Sequence, residues 1–257
     1  MNNFRHALQT GRHAVGSWLN TVSPVAAELM SAAGFDFLTV DAEHSAVDVA
    51  HAQVLFQAIR SGNPNCAPLV RVPGTDHDVI RRFVDAGAIG VIAPLVNSAD
   101  QARGVVRAVK YPPEGRRGVG FCRANMYGID FDRATAAAND ETFVCVQIED
   151  IEAVENIDEI LAVPGVDAVF VGPYDLTASM GITAQFEHPD VLKALQRILE
   201  ACRKHGVVAG IHVVQPDVEE FLRRFAEGYR LIAYSLDIVM LQRMSVDGLA
   251  EIRRRIK

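Results

Sequence analysis

The order of apolar runs in this chain predicts an α/β fold, a single (β/α)8 TIM barrel, and three observations carry the prediction. Eight short apolar runs alternate with helical patterns, and each run is followed by at least one helix. The length of 257 residues, with 49% hydrophobic composition, suits one large core of that kind. No composition shift or Ser/Pro-rich linker divides the chain, so residues 1–257 read as one domain. The lack of a GxGxxG after the first strand weakens the rival reading, an open dinucleotide-binding sheet.

The elements follow in order. Ala14–Leu19 reads as the first strand, with Trp18 near its end. Pro24 opens a helix to Ala33 that Gly34 stops. Phe37–Val40 is the second strand and delivers Asp41, with Glu43 and His44 just beyond. Val47–Arg60 is amphipathic, and Pro68–Val70 is the third strand, delivering Arg71. Asp76 caps a helix to Ala86, Gly87 ends it, and Gly90–Ala93 is the fourth strand. Ser98 caps a helix to Lys110. The connection YPPEGRRGVGFCRANMYGID follows, and its length in a compact domain predicts a functional segment, a wall or lid over the sheet edge. Phe143–Ile148 and Ala168–Val171 are buried strands joined by a helix over Ile151–Leu161, a right-handed crossover that makes them parallel neighbours. His188-Pro189 starts a helix to His205, and Val207–Ile211 is the seventh strand, delivering His212. Asp217–Glu227 is helical, Leu231–Tyr234 is the eighth strand, and a last helix takes most of Asp237–Ile256.

In a barrel the chemistry sits at the C-terminal ends of the strands. Five of those ends carry polar or ionisable groups: Asp41 with His44, Arg71, Gln147 with Glu149, Gly172 with Asp175, and His212. Glu149 and Asp175 leave the same sheet edge with no Lys or Arg beside them in sequence, and two such acids repel unless something positive lies between them. A divalent cation is the simplest candidate, since Mg²⁺ takes one or two carboxylates and leaves its other positions to water and substrate. The Arg71 fork suits a carboxylate or a developing enolate oxygen, or else an ion pair with Glu149 or Asp175. Asp41, three residues before His44, is placed to orient its imidazole for proton transfer, unless His44 merely caps the next helix. Glu43 is the rival acid there, read as a structural hydrogen-bond partner. Gly172 allows a ligand close to the backbone, and Pro173 at a helix start turns the amides of Tyr174 and Asp175 toward the mouth, a carboxylate site. His212 either lines the acceptor end of the pocket or is a satisfied core histidine.

The bulk properties exclude several classes. A formal net charge of −7 and a pI near 5.6 do not favour nucleic acid. The basic cluster Arg253–Lys257 ends the last helix, where cations suit the macrodipole. Cys66, Cys122, Cys145 and Cys202 are scattered, with no CxxC, as reduced thiols of a cytoplasmic protein would be. No apolar run approaches a membrane span, so no membrane association is expected.

Taken together, DAEH (Asp41, His44), LVRVP (Arg71), VQIE (Gln147, Glu149), YPPEGRRGVG, RANMYG and VFVGPYDLTASMG (Asp175) resemble the HpcH/HpaI class II pyruvate aldolases over nearly the whole chain. RANMYG is most similar to the 2-dehydro-3-deoxyglucarate aldolases. The resemblance implies that Glu149 and Asp175 hold Mg²⁺, Mn²⁺ or Co²⁺, chelated by the keto oxygen and carboxylate of pyruvate. It implies that the Tyr174 and Asp175 amides hold that carboxylate and that Arg71 stabilises the enolate oxygen. His44, paired with Asp41, would move a proton at the acceptor hydroxyl, and Gln147 would orient the site. It further implies hexamers built as trimers of dimers, related to barrels that swap their last helix, with Asp85 contributed to the neighbouring subunit's site. Three departures fall on what the resemblance makes the acceptor side: His212 where relatives have an apolar residue, YSLD (Tyr234–Asp237) where many read GSD, and a shortened Gly120–Arg123 segment.

The expected reaction is reversible cleavage of a 4-hydroxy-2-oxo acid to pyruvate plus an aldehyde. No strand end carries a Lys, since Lys110, Lys193, Lys204 and Lys257 fall in helical or terminal positions, so a Schiff base is disfavoured and a Lewis acid favoured. The rival reading is citrate formation, or citryl- or malyl-thioester cleavage, with Arg116, Arg117 and Arg123 as the obvious groove for CoA phosphates. A non-catalytic metal- or metabolite-binding assembly is the third.

Overall fold

The computed structural model describes residues 4–256. Eight parallel strands, β1 (Ala14–Leu19), β2 (Phe37–Asp41), β3 (Ala67–Arg71), β4 (Gly90–Ala93), β5 (Phe143–Ile148), β6 (Ala168–Val171), β7 (Val208–Val213) and β8 (Leu231–Leu236), pair in sequence order and close β8 onto β1. Helices α1 (Phe4–Gln9), α2 (Pro24–Ala32), α3 (Val49–Gly62), α4 (His77–Asp85), α5 (Ala99–Val109), α6 (Phe131–Glu141), α7 (Ile151–Glu155), α8 (Ile157–Leu161), α9 (Pro173–Ser179), α10 (Pro189–His205), α11 (Val218–Glu227) and α12 (Asp237–Arg255) surround it. The expected caps Asp76 and Ser98 are present, and Ser23 and Asp217 act likewise: each accepts a hydrogen bond from a backbone N–H of its helix's first turn.

Alternation along the strands decides which residues reach the mouth. Phe37, Ala67, Leu69, Phe143, Cys145, Ala168, Phe170, Leu231 and Ala233 fill the barrel interior, and their alternate neighbours pack against the helices. Two residues further along the same inward face come Asp41 after Thr39, Arg71 after Leu69, Gln147 after Cys145, Gly172 after Phe170 and His212 after Gly210. Several strands outlast their apolar runs for this reason. Asp41 still pairs in register with Arg71, and His212 with Ala233, so His212 lies inside β7 and not beyond it.

At the other end of the barrel α1 acts as a stopper. Leu8 is buried, Phe4 meets the rings of Phe37 and Phe143 at 6.0 and 5.3 Å, and Arg5 pairs with Asp167 at 2.7 Å.

Three expectations are corrected here. The segment 111–130 is not a lid over its own mouth: α5 descends from the mouth, β5 begins at the far end, and the connection between them runs along the N-terminal strand ends beside Pro64 and Ala88. It is not structureless either, since Arg123–Gly128 forms a 3-10 helix. The helix expected over Ile151–Leu161 breaks into α7 and α8 at Asn156, whose side-chain amide donates to the Asn97 carbonyl (2.9 Å) in the β4–α5 turn. Helix α6 has no counterpart in the sequence reading. Its Ala-rich stretch has strong helix propensity but no apolar stripe, and none of its residues is buried.

Candidate active site

The mouth is built on an arginine–carboxylate fork. Arg71 Nε and Nη2 donate to Asp41 Oδ1 and Oδ2 at 2.9 and 2.7 Å, and Asn20 Nδ2 donates to the same Oδ2 at 2.7 Å. Burial raises the Asp41 carboxyl, but the Arg71 hydrogen bonds and charge, with the amides of His44 and Glu43, outweigh it and hold the group below its usual range. Those two amides lie 3.2 and 3.1 Å from Asp41 Oδ1, so Asp41 receives the backbone of His44 and not its imidazole. The ring of His44 is exposed and nearest to Glu43, at 3.7 Å. The expected Asp41–imidazole pairing is thus replaced: the chain turns back on the carboxylate after Asp41, and Arg71 takes its remaining capacity. Glu43 also reaches Arg71 Nη1 at 3.2 Å, and its carboxyl is raised, chiefly by burial, with the Asp41 and Asp175 charges adding.

The guanidinium of Arg71 lies 4.5 Å from the Trp18 ring, whose other neighbours are His212, stacked at 5.1 Å and 11°, and Phe170 at 5.6 Å. Trp18 thus holds the fork and the imidazole in line. His212 Nε2 lies 3.0 Å from the Ser235 carbonyl oxygen. Burial, against that hydrogen bond and with the Arg71 charge adding, pushes the imidazole down to about 4.

Glu149 is buried. It accepts from the Leu95 amide at 2.8 Å and from the Gln147 side-chain amide. Leu95 adopts a left-handed φ of 53° to aim that amide, a strained conformation of the kind functional sites retain. Burial raises the Glu149 carboxyl, and the negative charges of Asp175 and Glu43 raise it further. Gly172 is needed beside it, because a Cβ there would sit 2.6 Å from Glu149 Oε2. Helix α9 begins at Pro173 with Tyr174 and Asp175 in its first turn, both exposed.

Arg71, Gln147, Gly172, Tyr174, Asp175 and His212 all line one cavity of about 100 Å³, together with Trp18 and Phe170. Buried polar atoms without a protein partner gather at this rim: Trp18 Nε1, Asn20 Oδ1, Gln147 Oε1 and Ser235 Oγ. Such atoms are rare in folded proteins, and together they mark a place for water or ligand.

Other expected residues lie elsewhere. Asp85 ends α4 at the far end of the barrel, where it accepts from Arg117 Nη2 at 2.7 Å. Tyr234 faces outward onto Phe221, and Asp237 accepts the amides of Asn20 and Thr21. The shortened Gly120–Arg123 stretch is also at the far end, so of the three departures only His212 enters the cavity of its own subunit. Sequence reading missed Trp18, Asn20 and Leu95 as site residues. The inward alternation of β1 could have found Trp18; the Leu95 contribution is a backbone amide and has no side-chain signal.

The residues fit a divalent cation. Among the described residues no cluster of three or more His, Cys, Asp or Glu gathers for a metal. Two carboxylates, Asp175 at the cavity and Glu149 buried near it, are nonetheless the donor set that Mg²⁺ completes with water and substrate oxygens, and the Asp175 charge that adds to burial in raising Glu149 is what a cation would relieve.

Fold and rim together give a closed barrel with ionisable groups gathered around one cavity at its strand C-termini, the arrangement that barrel enzymes use. The chain belongs to the HpcH/HpaI aldolase/citrate lyase family, whose model matches residues 14–242. It is 37% identical over 243 residues to a hydroxypyruvate/pyruvate aldolase of Roseobacter denitrificans, covering 94% of this chain and 93% of that one. It is 39% identical over 245 residues to a 4-hydroxy-2-oxo-heptane-1,7-dioate aldolase of Escherichia coli, covering 94% and 91%. The crystal structure of an HpcH/HpaI aldolase/citrate lyase family protein from Burkholderia cenocepacia J2315 superposes with a TM-score of 0.93 at 36% identity, covering 98% of this chain and all of that one (100%). The chain is accordingly a lyase of the aldolase kind.

Proposed function

We propose that this chain, as one barrel domain, is a divalent-metal-dependent aldolase that reversibly cleaves 4-hydroxy-2-oxo acids to pyruvate and an aldehyde. The observation that carries the reading is the Asp41-held fork of Arg71 at the same cavity as Asp175, next to the strand that bears Glu149. Glu149 and Asp175 would hold Mg²⁺, Mn²⁺ or Co²⁺, which when bound supplies Lewis acidity toward the keto oxygen. Arg71, kept cationic and immobile by Asp41 and Trp18, stabilises the negative charge that develops on that oxygen as the carbon–carbon bond breaks. Gln147 orients Glu149, and the Tyr174 and Asp175 amides receive the substrate carboxylate. The C4 hydroxyl must lose a proton, and His44, exposed at the rim, takes it. Glu43 is the carboxylate beside its ring in the isolated subunit, and Asp85 is the residue that, by the family resemblance, each subunit would contribute to its neighbour's site.

The aldolase reading is preferred over citrate formation or thioester cleavage for two reasons. The relatives of 37% and 39% identity are named aldolases. Of the arginines a CoA groove would need, Arg117 is buried and already committed to Asp85. Assembly follows the same reading. α12 buries only Asp237 among its described residues and exposes Leu241, Met244, Leu249 and Ile252, while α2 exposes Val25 and Leu29. A second copy covering these faces accounts for them, in a hexamer of three helix-exchanged dimers. A cytoplasmic location, without nucleic-acid or membrane partners, belongs to the same proposal; among the described residues no helix is long and apolar enough to cross a membrane.

The test is metal removal. Protein stripped with EDTA should release no pyruvate from a 4-hydroxy-2-oxo acid, and Mg²⁺, Mn²⁺ or Co²⁺ should restore release; full activity in stripped protein would defeat the mechanism.

A further inference from the structure

One group at the rim is left unused by the enolate chemistry. The ring of His212 lines the cavity, and the structure closes every route but one for its nitrogens. A carbonyl oxygen can only accept, so Nε2, 3.0 Å from Ser235 O, carries the ring proton. Ser17 Oγ donates to the same carbonyl at 3.0 Å, occupying its second lone pair. The face-to-face stack on Trp18 holds the ring plane. The carbonyl itself is delivered by a bulge. The β1–β8 register slips by one residue between Gly16–Ala233 and Trp18–Leu236, and Ser235 takes a left-handed φ of 54° within the slip. Bulged, strained backbone is kept where it re-aims a group at a site. Nδ1 is what remains: a lone pair with no partner among the described residues, on an imidazole that burial and the Arg71 charge keep neutral.

We propose that His212 is a specificity-determining residue of the aldolase, a preset hydrogen-bond acceptor that selects hydroxyl-bearing acceptor aldehydes over alkyl ones of the same size. A neutral ring whose proton is committed to Ser235 offers a ligand no donor. It therefore favours an O–H over an alkyl group of the same size and gives nothing to a carboxylate. An alkyl aldehyde in the same place leaves Nδ1 desolvated and unpaired, and that penalty is the source of the discrimination. This inference rests on the aldolase reading above.

The test compares pyruvate condensation with glycolaldehyde and with propanal, in which a methyl group replaces the hydroxyl, reading kcat/KM for each by mass spectrometry of the product. The wild-type enzyme should prefer glycolaldehyde by about tenfold or more. His212→Leu should collapse that ratio by about tenfold, and His212→Gln, which can donate to Ser235 and still present an acceptor oxygen, should keep it within about threefold of wild type. Exchange of the pyruvate methyl protons in D2O, which needs no aldehyde, reads the enolate half separately. Exchange with no preference between the two aldehydes in the wild type overturns the role of His212 and leaves the aldolase standing, whatever the variants do. An unchanged ratio in His212→Leu overturns it equally. Neither exchange nor condensation in metal-loaded wild type overturns both readings.

Discussion

At the scale of single residues, the site depends on a guanidinium that cannot turn. Two parallel hydrogen bonds to Asp41 and the Trp18 face fix Arg71 in one plane, and a lysine there would keep the charge but lose both constraints. Arg71→Lys should therefore lower kcat for pyruvate release by about 10²–10³, the scale of losing one oriented charge-stabilising donor, with an unaltered circular-dichroism spectrum. A rate within threefold of wild type would remove Arg71 from the enolate step. The sequence showed Asp41 and Arg71 clearly because each follows an apolar strand, where a charge has no packing role. It could not show that the Asp41 carboxylate would be taken up by the amides of Glu43 and His44, because that depends on how the chain turns after the strand.

At the scale of elements, strand alternation was legible and helix breaks were not. All eight strands were located to within two residues at either end, since β-branched runs buried on both faces leave a strong signal. The ends fell short where polar residues on the inward face continue the pairing, as at Asp41 and His212. Helix α6 escaped notice because what holds its C-terminus lies elsewhere in sequence. The Lys110 ammonium donates to the carbonyls of Asn139 and Thr142 at 2.5 and 2.6 Å, serving the acceptors that a helix end leaves open. Burial of Lys110, with the Arg5 charge adding, pushes its amine down to about 8 from 10.5. Below pH 8 both folded and unfolded chains hold this proton, and the burial cost is fully present. Between pH 8 and 10.5 the folded chain releases it first, so the Lys110 contribution to stability rises with pH across that window. In urea titrations, the stability difference between wild type and Lys110→Met should shift in favour of wild type from pH 7.5 to pH 9.5; a constant difference would show that the amine keeps its proton throughout.

For the whole molecule, the decisive feature is what the isolated barrel leaves uncovered. Leu241, Met244, Leu249 and Ile252 of α12 recur at helical spacing on a face that the described residues leave exposed, and α2 presents Val25 and Leu29. The wild type should sediment as an oligomer, and Leu241→Glu combined with Ile252→Glu should shift it toward the monomer, read by analytical ultracentrifugation. A monomeric wild type would rule out the exchanged-helix assembly. This surface was not legible from composition, because an apolar stripe that meets its own barrel and one that meets a second copy look the same in sequence. The far-end position of 111–130 was hidden for a related reason: connection length says nothing of direction, which only the alternating up-and-down course of strand and helix supplies.

Side chains fill the barrel down to Phe4 and Leu8 beneath the strands, so it has a blind end. Traffic therefore has a single doorway. On the aldolase reading, whatever settles deepest, against Glu149 and Arg71, is expected to enter ahead of its co-substrate and to wait behind it on the way out, because the filled interior leaves no second exit.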